Sequence, residues 1–220
     1  MTRLAMNNVV WGLSLAVQCC LLALIFWRGL ARMLPVFAGV LAFYPLRGVA
    51  LYVLFGHVAR AQYAGIYRGL VLAGLLGQFA VAVEVGVRLF VPALGRWRAW
   101  ALLAGLCMAA CLMVMAEWSL LPSGMPLPPD RLQMFNSALM VLMGGWALVW
   151  ADAGWVRRVA MGFGVYGVAD LVGTAGRSIA AVRRDAGTYA GWSYGVTGVY
   201  LAVMLWWVCW LVSTQRTGGE

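Results

Sequence analysis

A chain of 220 residues with 64% hydrophobic and 10% charged residues and a mean hydropathy of +0.87 has less than half the ionisable content of a soluble domain, which is about 25%. No water-soluble fold hides that much apolar surface, and the apolar runs follow one another too closely for a separate soluble domain, so residues 1–220 read as one all-α transmembrane bundle. The net charge of +9 comes from arginine alone: without lysine there is no Schiff base for retinal or pyridoxal phosphate, and without a basic tail or stripe no nucleic-acid partner is expected.

Spans of about 20 apolar residues, bounded by Arg, Pro or Gly, predict about seven membrane helices. The first, 9–27, is too long for a signal-peptide core and is followed by Arg28 rather than a cleavage site, so it is expected to be retained. The second, 35–55, is interrupted by Pro45 and Arg47 and ends near His57 and Arg60. The third, 69–91, contains Gln78 and Glu84; the fourth is 99–116. Pro122, Pro126, Pro128 and Pro129 then exclude a regular helix over the connection from Glu117 to Asp130. The fifth span is 132–151, the sixth, Gly-rich, is 155–175, and after a polar connection from Arg177 to Ala190 the seventh is 191–212.

Tryptophans support these edges, since indole prefers the headgroup level and Trp11, Trp27, Trp97, Trp118, Trp155 and Trp210 all fall near them. Orientation is less marked. An outside N-terminus puts Arg28, Arg32, Arg88, Arg96, Arg98, Arg157, Arg158 and Arg216 inside, which leans toward N-out and C-in. All five cysteines lie inside apolar runs, so no loop disulfide framework is available.

Several motifs resemble chemistry without supporting it. Gly162-Phe163-Gly164-Val165-Tyr166-Gly167 matches the dinucleotide fingerprint, but that motif works at a strand-to-helix turn, and this stretch lies in an apolar helix. Its small residues instead let helices approach: Ala160, Gly164 and Gly167 share one face, Ala169, Gly173 and Gly176 another, so the sixth helix is expected to pack on two sides. Asp152 and Asp170 are too far apart in depth for an aspartyl dyad, by more than about 15 Å at 1.5 Å per residue. The lone His57 rules out paired haem ligands and the usual serine triad, and Cys107 with Cys111 lacks two further ligands for a soft metal. No catalytic, metal or cofactor residues are expected.

The groups that do call for explanation are Arg47, Glu84 and Asp170, with Gln18 and Gln78, because ionisable and polar side chains inside a membrane cost several kcal/mol unless paired or hydrated. Arg47 and Asp170 lie at similar depth on helices running the same way, which makes them candidate partners; Asp170 also shares a face with Tyr166, Gly173 and Arg177, so Arg177 competes. Glu84 precedes Arg88 by four residues, and with Ala73, Gly77 and Ala80 it forms a small-residue stripe expected to face protein.

Trp11, Ser14, Gln18, Arg28, Pro35 with Phe37, Arg47, Tyr63 with Tyr67, Glu84, and Arg158 before Gly162-Phe163-Gly164-Val165-Tyr166 follow an order that resembles a group of bacterial seven-helix membrane proteins. That resemblance implies seven helices in a bacterial cytoplasmic (inner) membrane and no particular activity. Tiny loops, no cofactor ligands and two-faced glycine helices favour a non-enzymatic membrane protein, either a subunit of an assembly with other membrane-protein subunits or a sensor. The alternative is a small-solute or ion transporter that uses the buried Arg, Asp and Glu set, with Pro45 breaking the second helix beside Arg47. A lipid-modifying enzyme with Glu84 or Asp170 as acid or base has least support.

Overall fold

The computed structural model describes residues 3–102, 104, 105, 108, 129–150 and 154–213. It is all α and forms a polytopic membrane fold of seven helices among the described residues: α1 (Arg3–Trp27), α2 (Pro35–Leu54), α3 (Arg60–Leu94), α4 (helical over 96–102), α5 (Pro129–Trp150), α6 (Trp155–Val182) and α7 (Ala186–Ser213). Among the described residues, five stretches are long and apolar enough to cross a bilayer: Asn8–Trp27, Pro35–Leu54, Arg60–Pro92, Trp155–Val182 and Ala186–Ser213. Large apolar side chains lie on the surface in number, among them Trp97 at 84%, Trp27 at 72% and Leu142 at 62% exposure, an arrangement that only lipid can solvate.

The helices outrun the apolar spans that announce them. α6 and α7 have 28 residues each, about 42 Å at 1.5 Å per residue, against a hydrocarbon core of about 30 Å. Hydropathy marks the lipid-immersed part of a helix; the backbone keeps its hydrogen bonds beyond it. The connection expected over Arg177 to Ala190 is accordingly helical at both ends, and the true turn is Arg183, Arg184 and Asp185.

That turn is built by backbone geometry. Arg184 adopts φ 54°, in the left-handed region that usually falls to glycine. Its N–H donates to the Ala181 carbonyl at 3.1 Å and that of Asp185 to the Ala180 carbonyl at 2.9 Å, the paired bonds of a Schellman ending. Asp185 then caps α7: Oδ1 accepts from the N–H groups of Gly187 and Thr188, both at 3.0 Å, and Oδ2 accepts from the Thr188 hydroxyl at 2.5 Å. The Thr188 hydroxyl, then the Thr188 and Gly187 amides and the nearby Arg183 charge, hold the Asp185 carboxyl below the ordinary carboxylate value. Because the folded value is the lower one, the cap contributes fully above the unfolded value and is lost as pH falls through the folded value. Amide exchange at Gly187 and Thr188, corrected for its intrinsic pH dependence, is expected to accelerate as pH drops below about 4; Asp185→Asn should abolish that pH dependence.

The chain forms two compact units, each described by itself: Met1–Val81 with Leu201–Glu220, and Ala82–Tyr200. In the first, a single 3-10 turn (Leu30–Arg32) after Gly29 reverses the chain between α1 and α2, and Pro35 starts α2 at a position where its missing N–H costs nothing. Trp11 stacks on Tyr52 at 5.4 Å, while Gln78 reaches Tyr44 and Phe55 meets Tyr63, so α1, α2 and the first part of α3 run alternately up and down. Leu21, Ile25, Leu34, Phe37 and Leu41 fill the core, and Phe37 meets Trp207 edge-on at 5.5 Å. Gly77 of α3 lies under Val40, whose Cγ2 would be 2.9 Å from an added Cβ, but Ala73 and Ala80 are exposed. The small-residue stripe therefore packs at one position, and Gly74 and Leu75 are the buried residues of that turn.

In the second unit, α6 packs on two sides, as its small residues predict. A Cβ on Gly144 of α5 would stand 2.5 Å from the Gly164 Cα, and one on Gly167 would stand 2.6 Å from the Ser137 carbonyl oxygen. On the other side, a Cβ on Gly173 would meet Val196 and one on Gly176 the Trp192 ring. Phe90 meets Trp146 edge-on at 5.0 Å, which ties the second part of α3 to α5.

Candidate functional site

The seven candidate polar residues fall into two settings. In the first unit, Trp11, Ser14, Leu15 and Gln18 recur on one face of α1, and Tyr44, Arg47, Gly48, Leu51 and Phe55 on one face of α2. The two faces, closed off by Tyr63 of α3, enclose a cavity of about 680 Å³. Its length follows from helix geometry: the lining begins at Asn8 and at Phe55, next to the end of α2, and reaches Gln18, about 15 Å along α1 from Asn8, and Arg47, about 10 Å along α2 from its end at Leu54.

Polar groups are concentrated toward the inner end. Gln18 is buried and its Nε2 donates to the Ser14 hydroxyl at 3.3 Å. The Gln78 Nε2 donates to the Tyr44 hydroxyl at 2.5 Å, tying α3 to α2 beside the cavity. Arg47 is half-buried, and its guanidinium lies over Gly74, where an added Cβ would come within 3.2 Å of Nη1. Pro45, two residues earlier, has no N–H to offer the Leu41 carbonyl, which frees a backbone acceptor in the middle of α2.

Residues 1–83, which make up α1, α2 and the first part of α3, contain no carboxylate: the first acid in the chain is Glu84, further along α3. Among the described residues that line the cavity, Arg47 is the one with a charge. The site is electropositive, walled by aromatic rings and supplied with hydroxyl and amide groups.

The second setting is closed rather than open. Asp170 of α6 is 2% exposed. Gln133 of α5 donates Nε2 to its Oδ1 at 2.8 Å and its Oδ2 at 3.1 Å, and the Ser137 hydroxyl lies 2.5 Å from Oδ2. Ser137 Oγ is also 2.9 Å from the Gln133 carbonyl oxygen; its single proton goes to the carboxylate, which is closer and charged. Of the two arginines the sequence offered Asp170, Arg177 reaches it, at 3.6 Å, while also donating to the Thr174 hydroxyl at 2.8 Å. This network joins α5 to α6 directly beside the glycine contact and fixes their register.

Tyr166 meets Tyr200 edge-on at 5.7 Å, and Glu84 is half-buried in the same unit. Cys107, Cys111, Asp152 and the greater part of the proline-rich connection lie outside the described residues, as does much of the fourth span. Gln133, Ser137, Thr174 and Tyr44 were missed by sequence reasoning centred on charge. Gln133 and Ser137, four apart in an otherwise apolar helix, were the available signal.

These features define the class: a multi-pass helical membrane protein which, among the described residues, carries a buried Asp170–Arg177 network and an open cavity lined by α1, α2 and Tyr63 with Arg47 on its wall. Comparison with protein-family models, with curated proteins and with solved structures gave no match.

Proposed function

We propose that this protein is a small-solute transporter whose solute site is the cavity around Arg47. The observation that carries the reading is a membrane-depth arginine on the wall of a cavity of about 680 Å³, with no acid among the residues that line it and none in residues 1–83. An ionisable group at that depth costs several kcal/mol unless it is paired or hydrated, so a solvated or ligand-filled cavity explains its position. The volume falls within the range of small-molecule sites, about 300 to 1,000 Å³. Pro45, expected to break α2, does not: the helix runs unbroken from Pro35 to Leu54, but the missing N–H leaves the Leu41 carbonyl without its usual partner beside Arg47, a weak point at which access can change.

The cavity favours transport over the assembly subunit or sensor, because subunit contact calls for apolar complementarity and not for a hydrated arginine. Asp170 and Arg177 act in this reading as the structural lock of α5 and α6. With the N-terminus outside, the end of the cavity at Asn8 and Phe55 faces outward. Protein reconstituted in liposomes is expected to take up a small anionic solute from a panel of organic and inorganic anions, and Arg47→Gln to lower the initial rate at least tenfold. Absence of flux for every solute tested, from protein shown to be folded, would remove the proposal.

A further inference from the structure

We infer that the Arg47 cavity takes a singly charged organic anion with a flat apolar body, of which an aromatic carboxylate is the simplest form. The inference rests on the reading of this cavity as a solute site and adds the chemistry of the solute. Charge sets the sign and the number. Residues 1–83 contain no acid, so no carboxylate of α1, α2 or the first part of α3 competes for Arg47 or pairs with a cation, and one guanidinium matches one carboxylate in bidentate geometry. A dianion would leave its second charge among apolar walls.

The walls set the shape. Trp11 and Tyr52 stack at 5.4 Å with an interplanar angle of 21°, and Phe55 meets Tyr63 edge-on at 5.8 Å, so aromatic rings flank the route from the Asn8 end toward Arg47. Flat rings bind flat apolar bodies well, whereas a bare inorganic ion would leave those walls unused. The carboxylate therefore sits inward on Arg47, and the apolar body lies outward along the Trp11–Tyr52 and Phe55–Tyr63 pairs. The same chemistry, an anionic head with an apolar body, exists in a phospholipid, and the experiment separates the two sources.

The test uses purified full-length protein in nonionic detergent with radiolabelled benzoate as the probe, and neutral benzamide and cationic benzylamine as competitors. Saturable benzoate binding is expected, with benzamide at least tenfold weaker and benzylamine without effect. Arg47→Gln should weaken benzoate at least tenfold. Gly74→Ala, which keeps the charge but crowds the guanidinium, should weaken it severalfold and serves if the first variant fails to fold. Equal affinity for benzamide, or benzoate binding unchanged in both variants, would overturn the inference. Displacement of benzoate by micromolar phosphatidylglycerol would make the ligand a lipid headgroup and overturn the free organic acid. Benzoate binding without flux in liposomes defeats the transport reading alone, and flux of another solute without benzoate binding defeats this inference alone.

Discussion

Gly164→Leu is expected to lose about 3 kcal/mol of stability, the upper end of ordinary overpacking costs, read as a shift in the midpoint of unfolding by denaturing detergent. The reason lies in the backbone. A Cβ on Gly164 would stand 2.8 Å from the Gly144 Cα of α5, and no side-chain rotation relieves a clash with a main-chain atom. The two helices must separate, and with them go the Gly167 contact with the Ser137 carbonyl and the register that holds Asp170. Gly145→Leu is the control: a Cβ there meets nothing within 4 Å, so the same volume one residue away should change the midpoint little and gain some helix propensity. Equal losses in the two variants would mean that α5 and α6 do not meet at Gly144 and Gly164.

Asp170→Ala should cost a similar amount, about 3 kcal/mol, because it leaves the Gln133 amide, the Ser137 hydroxyl and the Arg177 guanidinium facing an empty carboxylate position. Asp170→Asn keeps the shape but trades an acceptor for a donor that faces other donors, so an intermediate loss of about 1 to 2 kcal/mol is expected. A further variant isolates the ion pair. Arg177→Met in the wild-type background should cost less than Asp170→Ala, since Gln133 and Ser137 still satisfy the carboxylate. If Asp170→Ala unfolds no more readily than wild type, the buried network is not what fixes α5 on α6. None of these three variants is expected to alter benzoate binding in protein that remains folded, because neither Asp170 nor Arg177 lines the Arg47 cavity.

Much of this architecture was legible because lipid enforces simple rules. Continuous apolar runs bounded by arginine, proline and tryptophan mark the spans, and the glycine spacing in α6 marks both of its packing faces. Arg177 was legible as a partner for Asp170 from helical periodicity alone. What escaped was whatever depends on backbone conformation or on residues distant in the chain. The turn at Arg183, Arg184 and Asp185 carries an arginine where a left-handed residue is needed, so no glycine announced it and a longer connection was expected. Tyr44 and Gln78 are 34 positions apart, and pairing them requires knowing how α2 lies on α3.

The cavity was the least legible feature, although its electrostatics were in plain view. Attention to where charges stand gave Arg47 as a candidate for pairing, with Asp170 or in a larger set. Attention to where charges are missing leads elsewhere: no acid precedes Glu84, so Arg47 stands in a stretch of chain without a counterion. Absent residue types carry as much physical information as present ones when the surrounding medium is a hydrocarbon that tolerates neither.

The central claim is that water and small anions reach the Arg47 cavity from the membrane face that bears the N-terminus. It is tested most directly by thiol accessibility in intact liposomes, in a background with the native cysteines replaced. Ser14→Cys lines the cavity, about 9 Å along α1 from Asn8, whereas Leu13→Cys lies one residue away, exposed but outside the cavity lining. The account predicts rapid reaction of Ser14→Cys with a membrane-impermeant anionic methanethiosulfonate added on the N-terminal side, slowed by benzoate, and negligible reaction of Leu13→Cys. Equal reactivity at the two positions, or reaction of neither until the bilayer is dissolved, would contradict it.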